Sequence, residues 1–263
     1  NESYEYDGLW RITLANEEFY LYGQEHKNAP VQIGSKMLTY DSNGNLISKE
    51  GFTYSYNNYN QLVSVSKDDN LVESYKYDSS GSRVKKVSGN ESTFYFGDAV
   101  ELNLNNTGEF ASTKYYFGSE LSAIELENSS TFYHQDHLGS STVVTFENAS
   151  VKESVGYYPF GKSRDTSDEK YLYTGKELDS ETALYYYGAR YYDSGMRVFT
   201  QADTIIADVY HPGDLNRYAY VRDNPFRYTD PTGHCPDIFL GCTVSGTTLL
   251  YFGGAVFVGG GVT

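Results

Sequence analysis

The sequence predicts an all-β protein of antiparallel hairpins, and three features lead to that class. The chain of 263 residues contains 28 tyrosines and 14 phenylalanines, but one tryptophan and two methionines. Tyrosine at this density favours strands, because part of the ring packs while the hydroxyl reaches water. The 25 glycines supply residues for tight turns, and a Tyr-x-Tyr-Asp pattern recurs along the first part of the chain.

The first element is a repeat in the N-terminal third of the chain. It occurs as YEYDGLWRITL (4–14), LTYDSNGNLISKEG (38–51), YSYNNYNQLVSV (54–65) and YKYDSSGSRVKKV (75–87). Two aromatic-rich positions precede an Asp or Asn, a turn with Gly or Asn follows, and apolar residues then alternate. This order predicts one β-hairpin per copy. A lone hairpin cannot bury its apolar face, so we expect the hairpins to stack into a common core.

The next elements are two aromatic strand pairs, STFYFGDAVEL and TKYYFGSELSAIE, followed by four longer motifs. The motifs are FYHQDHLGSSTVVT (132–145), GYYPFGKSR (156–164), YLYTGKELDSETALYYYGARYYDSGMRVFTQAD (171–203) and LNRYAYVRDNPFRYTDPTG (215–233). Within the third motif, DSETALYYYGARYYD is the best helix candidate in the chain. Its many tyrosines nevertheless favour strand and turn there.

The repeats resemble the YD repeats of RHS (rearrangement hot spot) and teneurin-like proteins, whose units read roughly Y-x-Y-D-x-x-G-x-L. The four later motifs, in this order and spacing, resemble the RHS repeat-associated core domain. The resemblance implies an antiparallel strand spiral of YD-repeat hairpins that forms part of a shell and ends in this core domain. It divides the chain into a YD-repeat spiral (1–131), a core domain (132–234) and an apolar C-terminal segment (235–263).

The same resemblance implies a self-cleaving aspartyl protease, which in some family members cuts the chain just past a D-P-x-G motif. Asp230 stands at the aspartate of that motif, in TDPTG, and Asp203 matches the aspartate of a preceding element, in TQADT. Arg190 matches the arginine of GARYYD, and the cut would fall between His234 and Cys235. Two close carboxylates do not both ionise easily, so one would stay protonated as general acid while the other acts as base. The arginine would orient one carboxylate and keep it charged.

Each of these residues also has a purely structural interpretation. Asp-Pro-x-Gly forms turns without catalysis, since Pro presets φ at one turn position and Gly accepts positive φ at a later one. Asp203 could cap the segment that follows it, and Arg190 could stack on an aromatic ring. The chain departs from the family pattern at two positions, because His234 replaces the usual Leu or Met and Thr204 replaces Pro. The sequence therefore leaves open whether the chain is an enzyme.

The sequence predicts neither a metal nor a cofactor. His134, Asp136 and His137 form its one tight His/Asp cluster, but residues this close in the chain cannot surround an ion unaided. The glycine patterns of nucleotide-binding and hydrolase motifs are missing from the sequence. The net charge of −15 argues against a nucleic-acid partner, which binds best to a basic face.

The C-terminal segment has three competing interpretations. Residues 238–263 carry no charge and are rich in glycine and threonine. They could begin a C-terminal effector that the shell encloses, contact a membrane as an inserting tail, or form glycine-containing strands against the core. We expect an effector or a membrane-active segment rather than core strands.

Two hypotheses of function follow from these features. In the first, the chain is an RHS-type shell segment that encloses a C-terminal effector and releases it by self-cleavage. In the second, it is a non-catalytic protein that assembles with like chains through exposed strand edges, or binds carbohydrate or a cell surface through its aromatic side chains. Both place the protein in a secreted or cell-surface location, with which its N-x-S/T sequons are compatible.

Overall fold

The structure, a computed structural model, describes residues 2–117, 120–126, 129–206, 209–210, 212–234, 243–244, 247–252 and 255–260. Within these ranges the chain forms 24 β-strands and three short 3-10 helices. The same ranges contain no α-helix, so the predicted all-β class is confirmed.

The first seventeen strands form one antiparallel sheet, in which every strand pairs with the next one along the chain. They are β1 (Tyr4–Tyr6), β2 (Ile12–Ala15), β3 (Glu18–Tyr22), β4 (Pro30–Ile33), β5 (Lys36–Tyr40), β6 (Leu46–Lys49), β7 (Phe52–Tyr56), β8 (Leu62–Lys67), β9 (Asn70–Tyr77), β10 (Arg83–Ser88), β11 (Glu91–Phe96), β12 (Val100–Leu104), β13 (Phe110–Phe117), β14 (Leu121–Leu126), β15 (Ser129–Gln135), β16 (Ser141–Phe146) and β17 (Val151–Ser154). This continuous run of hairpins is the predicted strand spiral.

One kind of turn closes six of these hairpins and explains the Asp or Asn of the repeat. In the turn between β5 and β6, Asp41 Oδ1 accepts hydrogen bonds from the backbone N–H groups of Asn43 and Asn45, both at 2.9 Å. Gly44 follows with a φ of 84°, which disfavours any residue with a side chain. The same bonds, to the second and fourth following residues, occur at Asp7, Asn57, Asp78, Asn105 and Asp136. Asp and Asn both serve here because both offer an acceptor oxygen.

The sheet buries one face and exposes the other. In β3, Tyr20 is buried while Phe19 and Leu21 are exposed, and in β5, Leu38 is buried while Met37 is exposed. This alternation with a period of two is the pattern that the repeats predict for a sheet with one packed face.

The described residues between 155 and 234, here called the inner segment, cover the buried face of the sheet. Its regular elements are β18 (Glu177–Asp179), β19 (Leu184–Tyr186), β20 (Tyr191–Asp193) and β21 (Val198–Phe199), which form one antiparallel sheet, and 3-10 helices at Tyr173–Gly175, Pro212–Leu215 and Val221–Asp223. The strand-and-turn prediction for DSETALYYYGARYYD is confirmed, because β19 and β20 lie within it. Tightly packed tyrosines fill the segment, and the ring centroids of Tyr192 and Tyr220 are 4.5 Å apart.

The inner segment contacts both ends of the large sheet. Near the start of the sheet, the Tyr20 hydroxyl donates to the Met196 carbonyl at 3.2 Å. Near its end, the Tyr157 hydroxyl donates to the Ser141 carbonyl at 2.7 Å. Because one segment meets distant strands of the same face, the sheet must curve around it. The largest core cluster of the described residues joins side chains of both parts.

The C-terminal strands form a small sheet of their own. They are β22 (Thr243–Val244), β23 (Thr247–Phe252) and β24 (Ala255–Gly260), and they pair antiparallel. Cys235, and with it the predicted cut, lies outside the described residues, as do several positions of the predicted apolar segment. No helix within the described ranges is long and apolar enough to cross a bilayer.

Candidate functional site

The structure brings Arg190, Asp203 and Asp230 together inside the inner segment. Arg190 directly precedes β20, Asp203 follows β21, and Asp230 begins the turn after the last 3-10 helix. Arg190 Nη2 lies 2.9 Å from Asp203 Oδ2 and 3.3 Å from Asp230 Oδ2. All three side chains are buried. Two carboxylates that are far apart in sequence therefore meet on one guanidinium nitrogen, a charge-assisted arrangement.

Each of the three nitrogens of the Arg190 guanidinium has a polar contact. Its Nε donates to the carbonyl of Gly233, and its Nη1 donates to the carbonyl of Arg217 at 3.0 Å. The guanidinium carbon lies 3.6 Å from the ring centroid of Phe199, so the aromatic contact expected as an alternative also exists. Burial lowers the pKa of Arg190, and the negative charges of Asp203 and Asp230 oppose this effect. The residue thus connects the two aspartates to the backbone around them.

Asp203 uses both of its carboxylate oxygens. Oδ2 faces Arg190, while Oδ1 accepts the backbone N–H of Ile205 at 2.9 Å and lies 2.8 Å from Nδ1 of His234. The bond to Ile205 is a local Asx turn, and residues 204–206 form no helix that Asp203 could cap. A local turn bond and convergence with Arg190 therefore coexist at this residue.

Asp230 closes a turn around its own carboxylate. Oδ1 accepts the backbone N–H groups of Thr232 at 3.2 Å, Gly233 at 2.8 Å and His234 at 3.1 Å. The bonds to Thr232 and His234, the second and fourth residues after Asp230, are the same as those in the hairpin turns of the sheet. Gly233 has a φ of 79°, and a Cβ there would lie 2.9 Å from the carbonyl oxygen of Tyr187. Only glycine fits this position, which explains the Gly of the motif.

The side chain of a half-buried lysine contacts this turn. Lys176 Nζ donates to the Pro231 carbonyl at 2.7 Å and lies 5.4 Å from the ring centroid of Tyr187. Burial lowers the pKa of Lys176, whereas the negative charge of Asp230 opposes the decrease. Sequence reasoning missed this residue, because nothing in TGKELD indicates that its lysine reaches a turn more than fifty positions later.

A small cleft lies beside the two aspartates. The space that the centre of a water molecule can occupy in this cleft is about 30 Å³. The residues that line the cleft include Arg190, Asp203, Asp230, His234, Arg217 and Arg222. A polar site needs roughly 10–15 Å³ of such volume to hold one water. The cleft can therefore hold a water molecule next to the carboxylates.

The His/Asp cluster of the HQDHLGSS motif has other contacts. Asp136 closes the turn between β15 and β16. His134 Nε2 lies 3.1 Å from Thr145 Oγ1, and His137 Nε2 lies 3.1 Å from the Phe226 carbonyl. Among the described residues no group of His, Cys, Asp and Glu side chains has the arrangement of a metal site.

A second buried charged cluster, which the sequence did not indicate, fastens the inner segment to the sheet. Arg83 contacts Asp179 at 2.7 Å and Glu177 at 2.5 Å, and Lys86 contacts the same two carboxylates at 2.7 and 2.9 Å. Nearby, burial and then the negative charge of Asp179 raise the pKa of Glu73 to about 7. The cluster joins β10 to β18.

Comparison with known proteins places this architecture in a family. A family model described as Teneurin YD-shell matches residues 1–226. The chain is 32% identical over 221 residues to the tRNA3(Ser)-specific nuclease WapA of Bacillus spizizenii, which covers 79% of this chain and 9% of that protein. It is 35% identical over 127 residues to Toxin subunit YenC1 of Yersinia entomophaga, covering 44% of this chain and 12% of that protein. The chain thus spans about a tenth of the length of these curated relatives.

A solved structure shares the fold. The Photorhabdus luminescens Tc holotoxin pore aligns with a TM-score of 0.72 at 22% identity, over 90% of this chain and 13% of that one. The predicted relationship to RHS and YD-repeat proteins is confirmed by these matches. Since the family model covers most of its length, the chain belongs to the Teneurin YD-shell family.

Proposed function

We propose that this YD-shell segment encloses a C-terminal effector and releases it by cutting its own chain between His234 and Cys235. The observation that carries the proposal is the meeting of Asp203 and Asp230 on Arg190, beside the turn that ends at His234. Matched proteins named as nucleases and as a toxin subunit support a toxin-associated role. In this proposal the shell does not carry the toxic activity, which would belong to the sequence after the cut.

The chemistry we propose is hydrolysis by a pair of carboxyl groups. One aspartate is ionised and takes a proton from a water in the adjacent cleft, and the resulting hydroxide attacks the peptide carbonyl carbon. The other aspartate is protonated and gives its proton to the leaving nitrogen as the C–N bond breaks. Arg190 holds the Gly233 carbonyl and so fixes the segment immediately before the cut.

Enclosure is supported by the curvature of the large sheet around the inner segment. The proposed units are the YD-repeat spiral (1–131), the core domain (132–234) and the start of an effector (235–263). The site lies in the inner segment, so a chain leaving His234 starts on the buried side of the sheet. A membrane contact of residues 238–263 is the alternative use of the same segment.

A non-catalytic role is the second candidate, and one observation favours it. Asp230 Oδ1 makes the same two bonds as the aspartates of the hairpin turns, which have no catalytic partner. In that case the protein would be secreted or held at a cell surface. It would assemble with like chains at its sheet edges, or bind carbohydrate through exposed aromatics such as Phe19, Phe110 and Phe132.

Intact mass of the purified chain separates the two candidates. We expect the unchanged chain to yield a fragment that ends at His234, and Asp203→Asn and Asp230→Asn to stay uncut. Asn57 and Asn105 occupy the equivalent turn position, so Asp230→Asn keeps the turn while it removes the ionisable group.

Asp136→Asn is the matched control, because Asp136 closes the same kind of turn away from Arg190. It should be cut like the unchanged chain. If the unchanged chain stays intact, or if both site variants are still cut, self-cleavage by these aspartates is wrong. The non-catalytic role is then the remaining candidate.

A further inference from the structure

Residues 215–218, here called the wall segment, contribute Asn216 and Arg217 to the lining of the cleft. The backbone carbonyl of Arg217 accepts the N–H of Asp203 at 2.9 Å and Nη1 of Arg190 at 3.0 Å. The Arg217 side chain in turn donates through Nε to the carbonyl of Asp203. A shift of the wall segment therefore moves Arg190 and Asp203 with it.

Two turns of the large sheet contact the first half of the wall segment. Between β1 and β2, the Trp10 carbonyl accepts a hydrogen bond from the Asn216 side-chain amide at 3.3 Å. Between β3 and β4, Asn28 Nδ2 donates to the Leu215 carbonyl at 2.7 Å. Leu215 ends the 3-10 helix Pro212–Leu215 and the rest of the wall segment is irregular, so its position depends on contacts of this kind.

The next turn of the sheet, between β5 and β6, contacts the end of the wall segment. The hydroxyl of the buried Tyr218 donates to the Gly44 carbonyl at 2.7 Å. A Cβ on Gly44 would lie 2.4 Å from this hydroxyl oxygen, so only glycine leaves room for the bond. The turns after β1, β3 and β5 lie at one end of the antiparallel sheet. Three consecutive hairpins therefore hold the wall segment from that end.

We propose that Asn28, Asn216 and Tyr218 are positioning residues for self-cleavage. This inference rests on the proposed function. Through these side chains the first three hairpins fix the wall segment, and the Arg217 carbonyl passes that position on to Arg190 and Asp203. The cut then depends on docking of the first three hairpins onto the inner segment, although none of their residues touches the bond that breaks.

The test compares the cleavage rates and Tm values of full-chain variants. Tyr218→Phe removes the hydroxyl that reaches Gly44 and keeps the buried ring. We expect its cut to be about tenfold to a hundredfold slower, because a misplacement of about 1 Å can cost a hundredfold in rate. Tyr157→Phe is the matched control, since the Tyr157 hydroxyl also joins the inner segment to the sheet at 2.7 Å, but at Ser141. Both variants should lower Tm by roughly 2–4 °C, and the control should be cut at the rate of the unchanged chain.

Asn28 gives a second test outside the buried core, because its side chain is half-buried. Asn28→Ala removes the donor to the Leu215 carbonyl and should slow the cut by about tenfold with little change in Tm. Asn28→Gln keeps an amide donor and should recover most of the rate. A glutamine variant as slow as the alanine variant would contradict the role of the Asn28 amide.

The rates also separate this inference from the proposed function. If the unchanged chain is cut and Tyr218→Phe is cut as fast as Tyr157→Phe, the positioning role is wrong while the proposed function stands. Equal slowing of the two tyrosine variants would also overturn it, because the rate would then follow stability rather than position. If the unchanged chain stays whole, the proposed function fails and the positioning role fails with it.

Discussion

Replacing Arg190 by methionine should destabilise the inner segment strongly, because methionine has a similar length and no charge. The change leaves the buried carboxylates of Asp203 and Asp230 without their shared cation. It also removes the donors to the carbonyls of Gly233 and Arg217. Breaking a buried ion pair from one side costs about 3–5 kcal/mol. We therefore expect a loss of about 4 kcal/mol in the free energy of unfolding.

Thermal unfolding followed by circular dichroism measures this loss. For a domain of this size, each kcal/mol lowers Tm by roughly 2–4 °C, so Arg190→Met should lower it by roughly 8–16 °C. Lys114→Met is the control, because Lys114 pairs with Glu125 at 2.6 Å with its side chain 51% exposed. Such a surface pair contributes about 0–1 kcal/mol. A shift for Arg190→Met as small as that of the control would refute the view that this arginine neutralises two buried carboxylates.

Two further predictions concern the sheet and its attachment to the inner segment. Glu73→Gln should leave stability unchanged near pH 4 and increase it by up to about 3 kcal/mol at pH 8, measured by urea unfolding at both pH values. The sign follows because burial raises the pKa of Glu73 in the folded chain from its ordinary value of 4.5 to about 7. The unchanged chain therefore loses stability as pH rises through this window, and its stability then levels off. An equal effect of the substitution at both pH values would contradict it. Asp41→Ala should cost roughly 1–2 kcal/mol, since two backbone N–H groups and the Asn45 amide lose their acceptor. Asp41→Asn should cost much less, because asparagine accepts the same two backbone hydrogen bonds in other hairpin turns of the sheet. An equal loss of stability in both variants would contradict the view that the side-chain acceptor oxygen stabilises the turn.

The hairpins could be predicted from the sequence because their determinants are local. An Asp or Asn, a nearby Gly and alternating apolar residues specify the turn and the buried face within about a dozen positions. The same reasoning could not say what covers the buried face. That cover, the inner segment, depends on contacts such as that between Tyr20 and Met196, which are far apart in the chain.

The candidate site was indicated by motif resemblance rather than by local pattern. Arg190, Asp203 and Asp230 stand at motif positions, and the structure brings them together. Lys176 and the ring contact of His234 with Asp203 could not be predicted, because each depends on tertiary packing around the turn at 230–234. The cluster of Arg83 with Glu177 and Asp179 joins a repeat to a motif that sequence reasoning treated as separate units.

We propose that the chain is cut directly after His234 by the groups that meet on Arg190. N-terminal sequencing of the released C-terminal fragment, together with the intact mass of the N-terminal fragment, locates the cut. We expect the new N-terminus to be Cys235 and the partner fragment to end at His234. A chain that stays whole, or a new N-terminus at any other residue, would contradict it.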